Sequence, residues 1–261
     1  MKRPQLFLSI GAVFLIVILY QLPRVVVEND QVQEVNDPTT HTLEIPDRIR
    51  STISELRRLL NEEENPDKKA TFAHTLAIQY LDYGILDSAV MLGDEIANWS
   101  EGPSERAMDI YFKAFERSQN QDQAKENAEK SKAIIEQLLD KDPSDLRLKN
   151  KLAMTLVVSD NPMTGINMLR EILAVDENNR QAILNLGLLA IQSGQFERAK
   201  ERFEKLVSLD TGDSEARLYL AVSMIETGQR EEADQLLKEI LSSQDSIPAI
   251  KAMANEYLQE R

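Results

Sequence analysis

The chain has 261 residues, a formal net charge of −14 and no cysteine. That length accommodates one large or two small domains, and the acidic balance sets the chain against phosphate backbones and anionic membrane surfaces, so nucleic acid is not an expected partner. The missing cysteines exclude disulfides, thiolate-ligated metal, a thiol nucleophile and a lipoprotein acylation site.

Pro4 to Pro23 carries no charge, and its core from Leu6 to Leu22 reads LFLSIGAVFLIVILYQL. About 20 helical residues span about 30 Å, the thickness of a hydrocarbon core. Lys2 and Arg3 precede the run; Arg24, Glu28 and Asp30 follow it. The positive-inside bias then places the amino terminus in the cytoplasm and the rest beyond the membrane. Residues 1–23 are therefore expected to be a cytoplasmic stub and a transmembrane helix, single-pass in the inner (cytoplasmic) membrane. The remainder would be periplasmic or equivalently extracytoplasmic. A cleaved signal peptide is the competing reading, although no A-x-A-like site follows the run. Residues 24–46 show no sustained period and are broken at Pro38 and Pro46, which predicts a flexible tether.

Residues 47–261 read as helices throughout. Ile49, Ile53, Leu56, Leu59 and Leu60 form a helical stripe over Asp47 to Glu62, a helix expected to cap whatever follows. From residue 70 the chain divides into five units: 70–103, 104–145, 146–179, 180–213 and 214–247. The last three share one 34-residue register. Position 7 is Leu152, Leu186 and Leu220; position 8 is Ala153, Gly187 and Ala221. Position 20 is Gly165, Ala199 and Ala233; position 24 is Leu169, Phe203 and Leu237; position 27 is Ile172, Leu206 and Ile240. Small residues at 8 and 20 are expected to meet and let two antiparallel helices approach, with large apolar groups filling the space around them. Gly194 and Gly228 fall just past the first helix of their units, where the chain needs a left-handed residue to stop.

The unit at 70–103 keeps Leu76, Ala77, Gly84, Ala89 and Ile96 in register but has Gly93 at position 24, which predicts weaker packing. The unit at 104–145 is longer. Either an insertion near Ser118–Asn127 or two lengthened helices would account for it. Asn161 before Pro162 reads as a helix start. Pro248 opens a last amphipathic helix through Ile250, Met253, Tyr257 and Leu258, suited to closing an open end.

The period and columns resemble the tetratricopeptide repeat, a helix–turn–helix unit. The best match is the fourth unit, with Leu186-Gly187, Gly194, Phe196, Ala199 and Phe203. The usual aromatic at position 11 is replaced by Leu156, Ala190 and Met224 in the last three units. The resemblance implies an all-α, right-handed helix-turn-helix solenoid of about five repeats plus capping helices, behind one transmembrane helix.

It also implies a concave face lined by fixed positions of each first helix. Position 5 is His74, Met108, Asn150, Leu184 and Leu218; position 9 is Ile78, Phe112, Met154, Leu188 and Val222; Asn185 lies beside them. These columns are mostly apolar, with acids at Asp82, Glu116 and Glu226 on the rim. An amphipathic helix or an apolar segment with basic flanks would suit such a groove. Relatives that grip a terminal carboxylate use Lys, Arg and Asn there. Only Arg147, Asn150, Lys151 and Asn185 could serve here, so carboxylate capture is not expected.

No H-E-x-x-H motif or phosphate-binding glycine loop occurs, and His41 and His74 are the two histidines. Asp210-Thr-Gly-Asp resembles half a calcium loop but suits a turn better. No enzymatic activity, metal or cofactor is expected. The layout is similar to bacterial envelope factors that assist secretion or cytochrome c maturation. It predicts a membrane-anchored scaffold that binds a protein or peptide partner, with a chaperone-like holder of translocated clients as the alternative.

Overall fold

A computed structural model describes residues 45–259. The expected membrane span and all but the last residues of the tether lie outside that range. No described helix is long and apolar enough to cross a membrane.

All regular structure among the described residues is α-helical, in twelve helices. They are α1 (Asp47–Glu62), α2 (Pro66–Asp82), α3 (Leu86–Trp99), α4 (Glu105–Glu116), α5 (Gln121–Lys141), α6 (Leu146–Val157), α7 (Pro162–Val175), α8 (Arg180–Gln192), α9 (Phe196–Leu209), α10 (Ser214–Glu226), α11 (Arg230–Ser242) and α12 (Pro248–Gln259). They divide into two compact units, one ending at Asn161 and one beginning at Pro162.

The helix boundaries follow from local chemistry. Asn65, Ser104, Asn120, Asp145, Asn179 and Asp213 each accept a hydrogen bond from a backbone N–H in the first turn of the next helix. This satisfies donors that the helix itself leaves open. Gly194 ends α8 at φ 72°, with Gln195 N–H donating to Ala190 O at 2.8 Å. That is the left-handed stop expected there, and Gly84 and Gly228 repeat it at φ 73° and 84°. Asp210 Oδ1 accepts from Gly212 N–H at 2.8 Å, so it serves the turn.

In the unit ending at Asn161, α1 lies on α2 and buries Ile53 and Leu60. Arg57 Nε donates to Tyr80 Oη at 2.7 Å across that seam. This is the capping role expected of α1. Helices α2 and α3 pair, α4 packs on both, and α5 pairs with α4 and supports α6. Leu76, Leu81, Ile96 and Ile110 are enclosed among them. The extra length of the 104–145 unit sits in α5, which has 21 residues against 12 in α4. Only the second helix is lengthened.

The unit from Pro162 repeats the pattern. Helix α9 packs on α8 and α10, α11 on α10, and α12 on both α10 and α11. Phe203, Leu206, Leu218, Leu237 and Ile240 are enclosed. One detail differs from the expected column geometry. A Cβ on Gly187 would lie 2.6 Å from Phe203 Cζ, so the small residue at position 8 makes room for the ring at position 24. Ring planes do not compress, and Phe203 has no exposed surface into which to retreat. The last helix closes the stack through Ile250 and Ala254, and Arg230 Nη2 donates to Tyr257 O at 2.7 Å.

Candidate interaction face

Successive first helices lie side by side, so residues of like register meet across them. In the unit ending at Asn161, three such helices converge on Asp109. His74 Nε2 of α2 is 3.1 Å from Asp109 Oδ2, Lys113 Nζ of α4 is 2.6 Å from the same oxygen, and Lys151 Nζ of α6 is 3.7 Å from Oδ1. Lys151 also stands 4.0 Å from the centroid of the Phe112 ring, a cation over an aromatic face. Arg117 and Asp82 add a cross-helix pair at 3.2 Å. Phe112 and Phe115 meet edge to face, with centroids 5.6 Å apart.

The electrostatics are those of a partly enclosed polar cluster. Burial pushes the Asp109 carboxyl upward, but hydrogen bonds from His74 and Lys113 and the charges of Lys113 and Lys151 outweigh it and hold it well below the carboxylate range. Burial lowers Lys151, although Asp109 and Glu116 pull the other way. Glu116 keeps an exposed surface, yet desolvation pushes its carboxyl up against the pull of Lys151, Arg117 and Lys113.

The columns assigned to the groove divide by exposure. His74, Ile78, Met154 and Leu188 are half-exposed. Met108, Phe112, Asn150, Leu184, Asn185, Leu218 and Val222 are buried. The expected continuous apolar strip is therefore not open in either unit. In the first, the accessible groups are mostly polar. In the second, Leu184 and Val222 belong to one packed cluster with Leu188 at its margin, while Leu218 packs with Ile250 and Ala254 of α12. Position 5 is buried in four of the five units, and position 9 in two, because each first helix must also bury a flank against its neighbour.

Residues with the chemistry for carboxylate capture are engaged within the chain. Arg147 pairs with Asp145 at 2.7 Å, Asn150 Nδ2 donates to Leu146 O at 2.9 Å, and Asn185 Oδ1 accepts from Gln181 at 3.0 Å. Lys151 is held by Asp109 and Phe112. Sequence reasoning missed Asp109 and Lys113. Their spacing of four on one helix face was the available signal. Among the described residues, no group of three or more His, Asp or Glu side chains is placed to hold a metal ion.

Residues 190–256 match the model of the tetratricopeptide repeat. The match is limited to that segment. It covers α9 to α11 and most of α12, the pairs whose columns are most regular. The chain is similar in fold to TTC0263, a thermophilic TPR protein in Thermus thermophilus. Identity is 16%, 72% of this chain and 98% of that chain are covered, and the TM-score is 0.52. Two further similar structures are MamA (18% identity, 72% and 94% covered, TM-score 0.41) and YrrB, a TPR protein with an unusual peptide-binding site (19%, 80% and 97%, 0.41). No curated protein matches the chain.

Proposed function

We propose that the chain is a membrane-anchored scaffold whose repeat units hold protein partners outside the cytoplasm. What carries the reading is the face around Asp109, where three first helices present half-exposed His74, Ile78, Lys113, Lys151 and Met154 together. Tetratricopeptide-type helix pairs in the second unit support a role in protein–protein interaction. The uncharged run from Leu6 to Leu22, behind Lys2 and Arg3, supports an anchor with the repeats on the far side of the membrane.

The polar character of the face favours a defined partner over a promiscuous holder. A holder of unfolded clients needs accessible apolar area, and most of the apolar columns are enclosed here. The partner suited to this face carries polar groups that can exchange hydrogen bonds with the His74–Asp109–Lys113 cluster, plus a small apolar contact for Ile78 and Met154.

Photocrosslinking in intact cells tests the reading. A probe at Met154 or Ile78 is expected to capture one or a few defined membrane-associated proteins, and a probe at buried Leu218 to capture none. Many clients in equal yield would support the holder instead. Protease protection of the repeat units in intact spheroplasts would remove the extracytoplasmic placement.

A further inference from the structure

Seven arginines of this acidic chain meet a carboxylate: Arg58, Arg106, Arg117, Arg147, Arg180, Arg217 and Arg230. A group of four cations in the unit from Pro162 does not. Arg170 of α7 and Arg198, Arg202 and Lys205 of α9 form no carboxylate pair with any described residue. Instead Arg170 donates to Asn167 Oδ1 at 3.0 Å, Arg198 to Gln195 Oε1 at 2.6 Å, Arg202 to Arg198 O at 3.0 Å and Lys205 to Glu177 O at 2.6 Å. These partners are neutral, so they satisfy donors without cancelling charge.

Three of these cations share one place. Arg198, Arg202 and Lys205 line a depression of about 300 Å³ together with Leu173, Ile183 and Glu201. The site is formed mainly by the second helices α7 and α9, with Ile183 of α8 beneath them, and is separate from the face around Asp109. Leu173 is half-exposed, and buried Ile183 lies with it, making an apolar floor under a basic rim. Arg202 is partly buried, and burial together with the nearby charges of Arg198 and Arg170 destabilises its cation against the opposing pull of Glu201. Three cations gathered around the single carboxylate of Glu201 leave an excess of positive charge, a cost to the folded chain that a bound anion would lower.

We infer that this depression is a second docking site, on the second-helix side of the repeats, for an acidic linear segment of a partner protein that seats one apolar side chain on Leu173. Charge complementarity supplies the anionic part of that description, and the apolar floor supplies the other. A nucleic-acid strand fits less well. Its charge extends well beyond a Debye length of about 8–10 Å, and the remainder of a chain carrying −14 would repel it. A short acidic segment experiences only the local field. The inference is independent of the proposed partner of the Asp109 face.

The test uses the full chain in non-ionic detergent and a fluorescein-labelled peptide of glutamates with a central leucine, followed by anisotropy at low salt. Binding is expected to weaken about tenfold or more in Arg198→Gln/Arg202→Gln, one decade being about 1.4 kcal/mol. It should be unchanged in the charge-matched control Lys149→Gln/Lys238→Gln. Replacing the peptide leucine by serine should weaken binding severalfold, and raised salt should weaken it further. Equal affinity of the first variant and the parent chain, or no binding by the parent, would overturn the inference. So would tighter binding of an oligothymidylate, or self-association lost in the same variant, which would make the occupant a nucleic acid or a second copy. If the double variant loses helicity, Arg198→Gln alone carries the comparison, since Arg198 is exposed.

Discussion

A Cβ on Gly93 would stand 2.9 Å from Tyr111 Cε1, so the glycine of α3 and the tyrosine of α4 occupy what is one side chain's space in the regular repeats. Leu169, Phe203 and Leu237 fill the corresponding position in the last three units. In the 70–103 unit the volume is supplied from the following helix. The tyrosine is then fixed at its far end, where its hydroxyl donates to Asp94 Oδ1 at 2.7 Å and Lys130 Nζ sits 5.4 Å from its ring centroid. The packing expected to be weak at Gly93 is complete.

That arrangement makes the consensus substitution harmful. Gly93→Leu restores the residue type of the other units but overfills this one, and is expected to lower stability by about 1–3 kcal/mol. The helix-propensity gain of about 1 kcal/mol offsets part of that. Tyr111→Ala should cost about 3–5 kcal/mol alone, by analogy with other large aromatic truncations. Because the two side chains compete for one space, the double variant should lose clearly less than the sum, a coupling read from urea denaturation of all four chains. Additive losses would mean the two positions do not share that volume.

Gly187 and Phe203 give the same argument in the other unit. Alanine at Gly187 would approach the ring at 2.6 Å, and the ring is fully enclosed. Gly187→Ala is therefore expected to destabilise by about 1–3 kcal/mol despite the better helix former, with partial rescue by Phe203→Leu. Thermal melting of the three variants would show it.

Acid sensitivity follows from two carboxylates. Asp109 is held low against its own burial by His74, Lys113 and Lys151; Asp213 is held low against its burial by Arg180, 2.7 Å away, and by the first-turn amides of α10. A depressed carboxylate contributes stability above its unfolded pKa of about 3.9, and the contribution is lost as pH falls through the folded value. Stability measured from pH 7 downward should therefore decline below about pH 4. Asp109→Asn should reduce that decline and cost about 1 kcal/mol at pH 7, the low end for a charged hydrogen bond that is partly exposed. Glu226 has the opposite sign, since desolvation raises its carboxyl. Glu226→Gln should be neutral or stabilising at pH 7, with the difference shrinking on acidification.

The helices, their stops and the cap function of α1 were legible because each depends on neighbours in sequence. Asn65 and Asp145 open helices through hydrogen bonds three residues on, and Gly194 closes one through its own φ. The placement of extra length in α5 was not legible, since the Ser118–Asn127 stretch is polar whether looped or helical. Tyr111 could not be matched to Gly93 from the register, because the compensating volume comes from a different column of the next unit. The face departs from the sequence expectation for a related reason. Positions 5 and 9 are apolar and read as lining, whereas Phe112 and Leu218 are turned into the inter-helix seam, and position 6 supplies Asp109 and Lys151 to the accessible side. Periodicity distinguishes one side of a helix from the other, but it does not say how wide the buried arc is once a third helix packs alongside.

That arc yields the sharpest separation of core from surface. Leu218 has no exposed area and packs with Ile250 and Ala254, so Leu218→Ala is expected to cost about 2–5 kcal/mol. Its loss of partner binding would then reflect unfolding. Ile78 and Met154 retain exposed surface on the Asp109 face. Ile78→Gln/Met154→Gln should cost about 1 kcal/mol each, since both sites are partly buried and Ile78 packs against the core of its unit, well short of the loss at Leu218. Circular dichroism would establish that the fold is intact, and crosslinking from an unaltered neighbouring position, Gln79, would then report on binding alone. Loss of the crosslinked partner from a stably folded double variant places the contact on this face. An unchanged partner set would move it elsewhere on the molecule, and the depression between α7 and α9 would be the next surface to alter.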